Sequence, residues 1–398
     1  MKICGMVEFA PTGLFETAKE LITALNNLPD TEAGVVDVVA DMVPDGRIIY
    51  RGANGGVKDP RSAFQSKSFE WAKDADIFII HSSIPAPLKP WVEKARTVFI
   101  THGTPEYCAA LEFWENKPVW KACIDYVTKC DMTIHFEKRH IKYWQFANAD
   151  LYYDRASYYI PKGIDIQKYV PLWDIKNPVP NRDFFQSWFD TAPNVLFLES
   201  WRNINMPFHL LYAFKDVFDL LPSARLYMYN WDNSAFTWWK AVVQAGWHHW
   251  IRAWEPRLAD PRPAYRSAHV LVHPHWFGDK SRVSMEAMAC GCPVIAHGSS
   301  DIPYNAMSRA NYDYADAIRD TIFQVNDDIM RYGFDKISRR MREIAVKNFD
   351  IRDTARKMRK LFEDDLMQRP KRKNRKFKKQ PIVGESNLSR QYRIGAIK

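Results

Sequence analysis

No apolar run in these 398 residues approaches the roughly 20 residues needed to cross a bilayer as a helix. The first residues, MKICGMVEFAPTG, contain no signal-peptide core. The expected compartment is therefore the cytoplasm where the chain is made. Cysteine is scarce: Cys4, Cys108, Cys123, Cys130, Cys290 and Cys292 are all there is, and they include no C-x-x-C pair. That spacing supports neither a disulfide framework nor a zinc site and points to buried thiols. No cluster of His, Cys and Asp suggests a bound metal, so no metal is expected.

What is present is an ordinary core and an uneven charge. Hydrophobic residues make up 46%, enough for globular cores, and the length is comfortable for two domains. The net charge of +9 is concentrated at one end. Residues 369–398 carry 11 Lys/Arg against one Glu, a charge of +10, which leaves −1 for the rest. A run such as Lys371, Arg372, Lys373, Arg375, Lys376, Lys378 and Lys379 reads as a solvated tail that meets nucleic acid or another anionic surface.

Short strands alternate with helical stretches along the chain, the pattern of parallel α/β sheets. Strands are expected at Lys2–Phe9, Val35–Ala40, Ile77–His81, Val98–Thr101, Met132–His135 and Tyr158–Pro161, then at Asn194–Leu198, Arg225–Tyr229 and Val270–His273. Helices are expected at Leu14–Leu28, Pro207–Leu221 and Ser234–Ala245, and over Asp316–Met367. The stretch Leu172–Phe189 has no period and reads as a long connection.

The densest signal is His273–Ala296, HPHWFGDKSRVSMEAMACGCPVIA. A strand end, a loop with Gly278, Asp279 and Lys280, a helix opening near Ser281 and a second strand follow in order. A helix N-terminus at a strand end is a ready anion site, with first-turn N–H groups and the dipole aimed at it. Lys280 and Arg282 would add positive charge for a diphosphate, and Glu286 lies one turn further in. Upstream, Ala156–Pro171 reads ASYYIPKGIDIQKYVP, where Gly163 suits a tight turn and Asp165 can cap nearby amides.

Both blocks resemble GT-B glycosyltransferases, specifically glycosyltransferase family 4. The first is similar to the family's Glu-x7-Glu motif ending E-A-M-A-C-G-x-P-V-[IV]-A. The second is similar to I-P-N-G-[VI]-D-x-x-x-[FY]-x-P, with Lys162 in place of Asn. The resemblance covers about residues 1–367. It implies two Rossmann-like α/β domains facing across a cleft, with residues 1–170 as the acceptor half and 171–349 as the donor half. A crossover helix at 350–368 would return to the first domain, followed by the basic tail.

The same resemblance implies the site. A nucleotide sugar, UDP- or GDP-linked, is the co-substrate and no cofactor is needed. Gly13, Gly278, Asp279, Lys280, Ser281, Arg282 and Glu286 would bind the donor, with Glu286 on the ribose hydroxyls. Arg202 would hold the leaving diphosphate, whose growing charge needs fixed cations. His102, in VFITHGTP, would contact the donor sugar or place the acceptor hydroxyl; His81-Ser82-Ser83 is a second strand-end candidate. His102, Arg202 and Lys280 are the catalytic candidates.

Three departures stand out. Gly13 is the sole glycine of a first loop that is Gly-rich in the family, Gly278 replaces the first Glu, and Asn205 stands where Lys is expected. The Glu change bears on the donor sugar. Asp74-Ala75-Asp76 spells a metal-binding D-x-D but precedes its strand instead of ending it, and Cys290-Gly-Cys292 falls in the helix-to-strand turn.

The acceptor stays open. The resemblance allows envelope glycan or lipid-linked sugar, but residues 1–170 hold 20 Lys/Arg against 22 Asp/Glu and show no overall basic bias. It equally allows hydroxymethylated pyrimidines of phage DNA, in which case the compartment is the host cytoplasm. A polybasic tail attracts phosphate regardless of sequence, and 14% aromatics offer stacking surfaces. DNA is favoured over anionic membrane or glycan. A non-catalytic nucleotide-sugar or nucleic-acid binder on the same scaffold is the alternative of another class. Oligomeric state is open.

Overall fold

The computed structural model describes residues 1–7, 13–38, 67–115, 119–147, 156–175, 193–199, 205–229, 240, 242–253, 258, 260–275, 281–297, 302–306 and 314–370. The chain divides into two compact units. One is Met1–Gly163 together with the segment from Ile351 onward; the other is Ile164–Asp350.

The first unit is built on six parallel strands, β1 (Lys2–Val7), β2 (Glu32–Asp37), β3 (Ile77–Ile80), β4 (Arg96–Thr101), β5 (Met132–His135) and β6 (Ala156–Tyr159), in the order β2-β1-β3-β4-β5-β6. The IFII of β3 and RTVFIT of β4 are buried at every position, as strands covered on both faces must be. Alternate residues feed two cores. Ile3, Ile77, Ile79, Val98 and Ile100 meet α1 (Gly13–Asn26), while Cys4, Phe78, Ile80 and Phe99 join Ala122, Tyr126 and Trp144 on the other side. This unit also contains α2 (Phe69–Ala72), α3 (Lys89–Val92), α4 (Pro105–Glu115), α5 (Val119–Lys129) and α6 (Lys138–Ala147).

The second unit also has a six-stranded parallel sheet, β7 (Asn194–Phe197), β8 (Arg225–Met228), β9 (Ile251–Ala253), β10 (Val270–His273), β11 (Val294–Ala296) and β12 (Tyr304–Asn305), ordered β12-β11-β10-β7-β8-β9. Around it lie α7 (Pro207–Leu220), α8 (Arg262–Ser267), α9 (Arg282–Ala289), α10 (Tyr314–Tyr332) and α11 (Phe334–Asn348). Each unit thus has the Rossmann-like parallel α/β architecture expected of the GT-B fold.

The division falls at Gly163, earlier than the expected boundary after Val170. Ile164, Ile166 and Tyr169 belong to the second unit's core, whereas Ile160 belongs to the first. Gly163 serves a close approach more than a turn. A Cβ there would stand 2.6 Å from Ile351 Cα and 2.7 Å from its nitrogen, both backbone atoms that cannot yield. The helical region expected over Asp316–Met367 is three helices, interrupted at Gly333 with φ +84° and again at Phe349–Asp350. Its last part, α12 (Ile351–Leu361) and a π turn at Phe362–Leu366, sends Ile351, Ala355, Met358, Phe362 and Leu366 into the first unit's core. That is one helical stripe, with charged residues on the opposite face. Most of the helix expected at Ser234–Ala245 lies outside the described residues, as does most of the 172–189 connection.

Candidate active site

In the second unit the described parts of the His273–Ala296 block form a strand end, a helix and a second strand, in the order its sequence suggests. Ser281 is the N-cap of α9, with extended backbone and its Oγ accepting from Ser284 N at 3.0 Å. The other first-turn N–H groups have no acceptor within the helix. Arg282, in that first turn, is a cation where the helix dipole disfavours one. Its Nε donates to Glu286 Oε1 at 2.6 Å, one turn on, and an Nη donates to the Tyr169 hydroxyl at 3.3 Å. The second carboxylate oxygen of Glu286 accepts from the Tyr265 hydroxyl at 2.9 Å. Arg282, Glu286, Tyr265 and Tyr169 are all buried. Burial foremost, and then the Glu286 charge, push the Tyr265 phenol well above its usual range, so it stays a donor.

Glu286 therefore already has a hydrogen-bond partner on each oxygen, and its remaining lone pairs are what it could offer a ligand. Tyr265 and Tyr169 were not legible as site residues. They reach α9 from 21 and 113 positions away, and no local motif announces either. Around this network Arg342 donates to the carbonyls of Ile166, Tyr169 and Ala289, binding the Ala156–Pro171 signature to the end of α9. Asp165 Oδ1 accepts from Gln167 N at 3.1 Å, as a turn residue should. Cys290 and Cys292 are buried free thiols, and burial raises the Cys290 thiol to about 12.

At the carboxyl ends of the same sheet, where open α/β folds bind ligands, His273 Nδ1 lies 3.3 Å from Glu199 Oε1 and its ring stacks on His275 at 5.4 Å. Sequence reasoning passed over this pair, although His273 ends β10 and Glu199 follows β7 by two residues. Asn205 is buried just ahead of α7. Arg202, Gly278, Asp279 and Lys280 lie outside the described residues, as do Lys371, Arg372, Lys373, Arg375, Lys376, Lys378 and Lys379. Gly13 opens α1 in the first unit, its carbonyl accepting from the Thr17 hydroxyl at 2.6 Å.

In the first unit, histidines collect at the carboxyl ends of neighbouring strands. His81 follows β3, His102 follows β4, and His135 ends β5. His81 Nδ1 and His102 Nε2 are 3.1 Å apart, and the His102 ring meets Phe136 edge-on at 5.5 Å. His135 bridges Thr101 and Ser157, at 2.9 Å to each hydroxyl. Burial lowers His81 and His135 to about 3 and His140 to about 4. Asp76 sits at the opposite sheet edge, its carboxylate accepting from Lys2 N at 2.7 Å, and the exposed Asp74 pairs with the Lys2 ammonium. That is the solvated strand start expected of Asp74-Ala75-Asp76. Among the described residues no three His, Cys, Asp or Glu side chains are grouped to hold a metal ion. No described helix is long and apolar enough to cross a membrane.

One surface helix sets lysines beside exposed rings. The KRHIKYWQFA of α6 contains no acid; Lys138, Lys142, Tyr143 and Phe146 are exposed, Phe146 at 93%.

Residues 192–323 match the family described as Glycosyl transferases group 1, a segment that contains α9 and the sheet it joins. Solved structures with the same architecture include a glycosyltransferase from Rickettsia africae, with 16% identity and a TM-score of 0.62 over 93% of this chain and 99% of that one. HepE from Anabaena, solved in complex with UDP-glucose, aligns at 14% identity and a TM-score of 0.61 over 91% and 99%. Sucrose-phosphate synthase from Thermosynechococcus elongatus aligns at 14% identity and a TM-score of 0.64 over 91% and 98%. No curated protein matches the sequence significantly. The fold is GT-B, and with the group 1 domain it makes this chain a glycosyltransferase.

Proposed function

We propose that the chain is a retaining glycosyltransferase that moves a sugar from a UDP- or GDP-linked donor to a hydroxyl of a polyanionic acceptor. The favoured acceptor is a hydroxymethylated pyrimidine of phage DNA, with the host cytoplasm as the compartment. The observation that carries the donor half is α9. A capped helix N-terminus, a cation in its first turn and a buried carboxylate one turn later stand together within the group 1 segment. In this reading first-turn N–H groups and Arg282, with Arg202 and Lys280, stabilise the diphosphate as charge grows on it. Glu286 accepts from the ribose hydroxyls. Gly13, Gly278, Asp279 and Ser281 complete the donor contacts, and His102 faces the transferred sugar. The chemistry needs oriented cations and donors and no resident metal.

Two features support a polyanionic acceptor: the +10 charge of residues 369–398 and the acid-free α6 with its exposed rings. Lysines beside exposed aromatics suit a phosphate backbone with a splayed base. The same face of α6 also favours a second reading, in which an anionic bilayer presents an envelope acceptor. A non-catalytic binder on this scaffold would hold the nucleotide sugar without turning it over.

The test has two stages. Donor hydrolysis by the full chain across UDP-, GDP- and ADP-sugars is expected for at least one donor; binding without turnover would favour the binder. Transfer of labelled sugar is then followed onto hydroxymethylcytosine DNA, unmodified DNA and lipid-linked acceptors. Label in modified DNA alone is the expected result. Label only in lipid or glycan would establish the envelope reading instead.

A further inference from the structure

We propose that Cys108 and Cys123 form a reactive dithiol, which small-molecule disulfides oxidise to a reversible bond between α4 and α5. The inference rests on the first unit alone and does not depend on sugar transfer.

The two residues are 15 positions apart, on consecutive helices that pack together, so no local motif signals them. The Cys108 S–H donates to Cys123 Sγ at 3.8 Å. A disulfide holds its sulfurs about 2.05 Å apart, so the bond asks for a closing movement of about 2 Å, a small side-chain rotation. Both residues belong to the apolar layer of Phe99, Tyr126 and Trp144, and that packing keeps the sulfurs together. Cys108 is buried, whereas Cys123 is partly exposed. The hydrogen bond to Cys123 foremost, and then burial, hold the Cys108 thiol well above its ordinary range.

Exposure assigns the order of attack, since a thiolate must reach the reagent. Cys123, which solvent reaches, gives up its proton and attacks one sulfur of a small disulfide R–S–S–R. A Cys123–S–S–R bond forms, the S–S bond of the reagent breaks and one R–S⁻ leaves. Cys108, deprotonated in turn, attacks Cys123 Sγ; the Cys108–Cys123 bond forms and the second R–S⁻ leaves. The two protons lost by the protein end on the two R–S⁻. The dithiol gives up two electrons and the reagent gains them.

The bond would fix α4 near its start. Thr104 caps that helix, its Oγ accepting from Tyr107 N at 3.1 Å and its carbonyl from Cys108 N at 3.1 Å. The carbonyl of Gly103, just before the cap, accepts from Trp144 Nε1 at 3.1 Å. Oxidation therefore stiffens the segment that leaves β4. Where cells keep thiols reduced, such a bond is transient and responds to redox state.

The test incubates the full reduced chain with oxidised glutathione at pH 8.5 and then counts thiols in denaturant. The chain has six cysteines, and the loss of two thiols is expected. Peptide mapping should find the Cys108–Cys123 crosslink, and dithiothreitol should reverse it. An unchanged thiol count, or a crosslink joining other cysteines, overturns the proposal. Cys108→Ser should stop at a glutathione adduct on Cys123, and Cys123→Ser should carry no adduct on Cys108. An adduct on Cys108 in that variant overturns the order of attack. Amide exchange read by mass spectrometry should be slower in α4 and α5 of the oxidised chain by about tenfold or more, the effect of closing a loop of this length. Equal exchange in the two forms overturns the stiffening.

Discussion

Arg282 and Glu286 show how a motif can be legible while its energetics are not. The string EAMACG marked Glu286 as a candidate ligand group, and it lies in α9, one turn past the helix N-terminus. What the string did not reveal is that Glu286 is also the counter-charge of a buried arginine and the acceptor for Tyr265. Removing one partner of a buried ion pair leaves the other charge desolvated, at a cost of about 3–5 kcal/mol. Glu286→Ala is therefore expected to lower unfolding stability by that amount in urea titration, in addition to any loss of donor affinity. Arg282→Met should cost a similar amount. The double variant Arg282→Met/Glu286→Met should lose much less than the sum, because no charge is left unpaired. Single variants within about 0.5 kcal/mol of wild type, the range of an ordinary surface change, would mean the pair carries no such coupling.

Elements buried on both faces were the easiest to read. IFII and VLVH admit no other role once turn residues bound them; VLVH has the expected bounds and IFII stops one residue before the expected His81. The edge strand Tyr304–Asn305 and the three-residue β9 escaped notice because a pattern so short has no period. The strand ends carry a further consequence. His81, His135 and His140 are buried in the neutral form, with values near 3, 3 and 4. The unfolded chain takes up these protons at about 6.5, whereas the folded chain does not until the pH falls to those values. Between the two, the unfolded state binds more protons, so stability falls as the pH falls. At pH 5 each histidine should remove about 2 kcal/mol, and the three together about 6, a large part of an ordinary domain's stability. Urea midpoints at pH 7.5 and pH 5 would measure the loss, and His140→Leu should shrink it by about 2 kcal/mol. Midpoints that do not move between these pH values would show that these rings are not held neutral.

At the scale of the whole chain, charge is divided as sharply as fold. The parallel α/β architecture runs to the end of the π turn with a net charge of −1, and all the net positive charge of the chain follows it. The root of the tail is well anchored. Arg96, at the start of β4, donates to the carbonyls of Met367 and Arg369, and Arg369 binds both Asp365 and the Tyr158 hydroxyl. Composition made the tail legible, but an anchor joining β4, β6 and the last turn brings together residues more than 200 positions apart in sequence, beyond the reach of any local pattern. Cutting after Pro370 keeps that anchor intact, so folding and donor hydrolysis should survive the loss of residues 371–398. On the proposed reading, what should change is capture of the acceptor. Binding of duplex DNA by the full chain should weaken steeply as salt rises, since each phosphate neutralised releases counterions. The truncated chain should bind more weakly and with a shallower dependence on salt. Vesicles with and without anionic lipid, run beside the DNA, separate the two anionic surfaces. A truncated chain that binds DNA with the full chain's affinity and salt slope would remove the tail from acceptor capture and leave α6 as the basic surface to test.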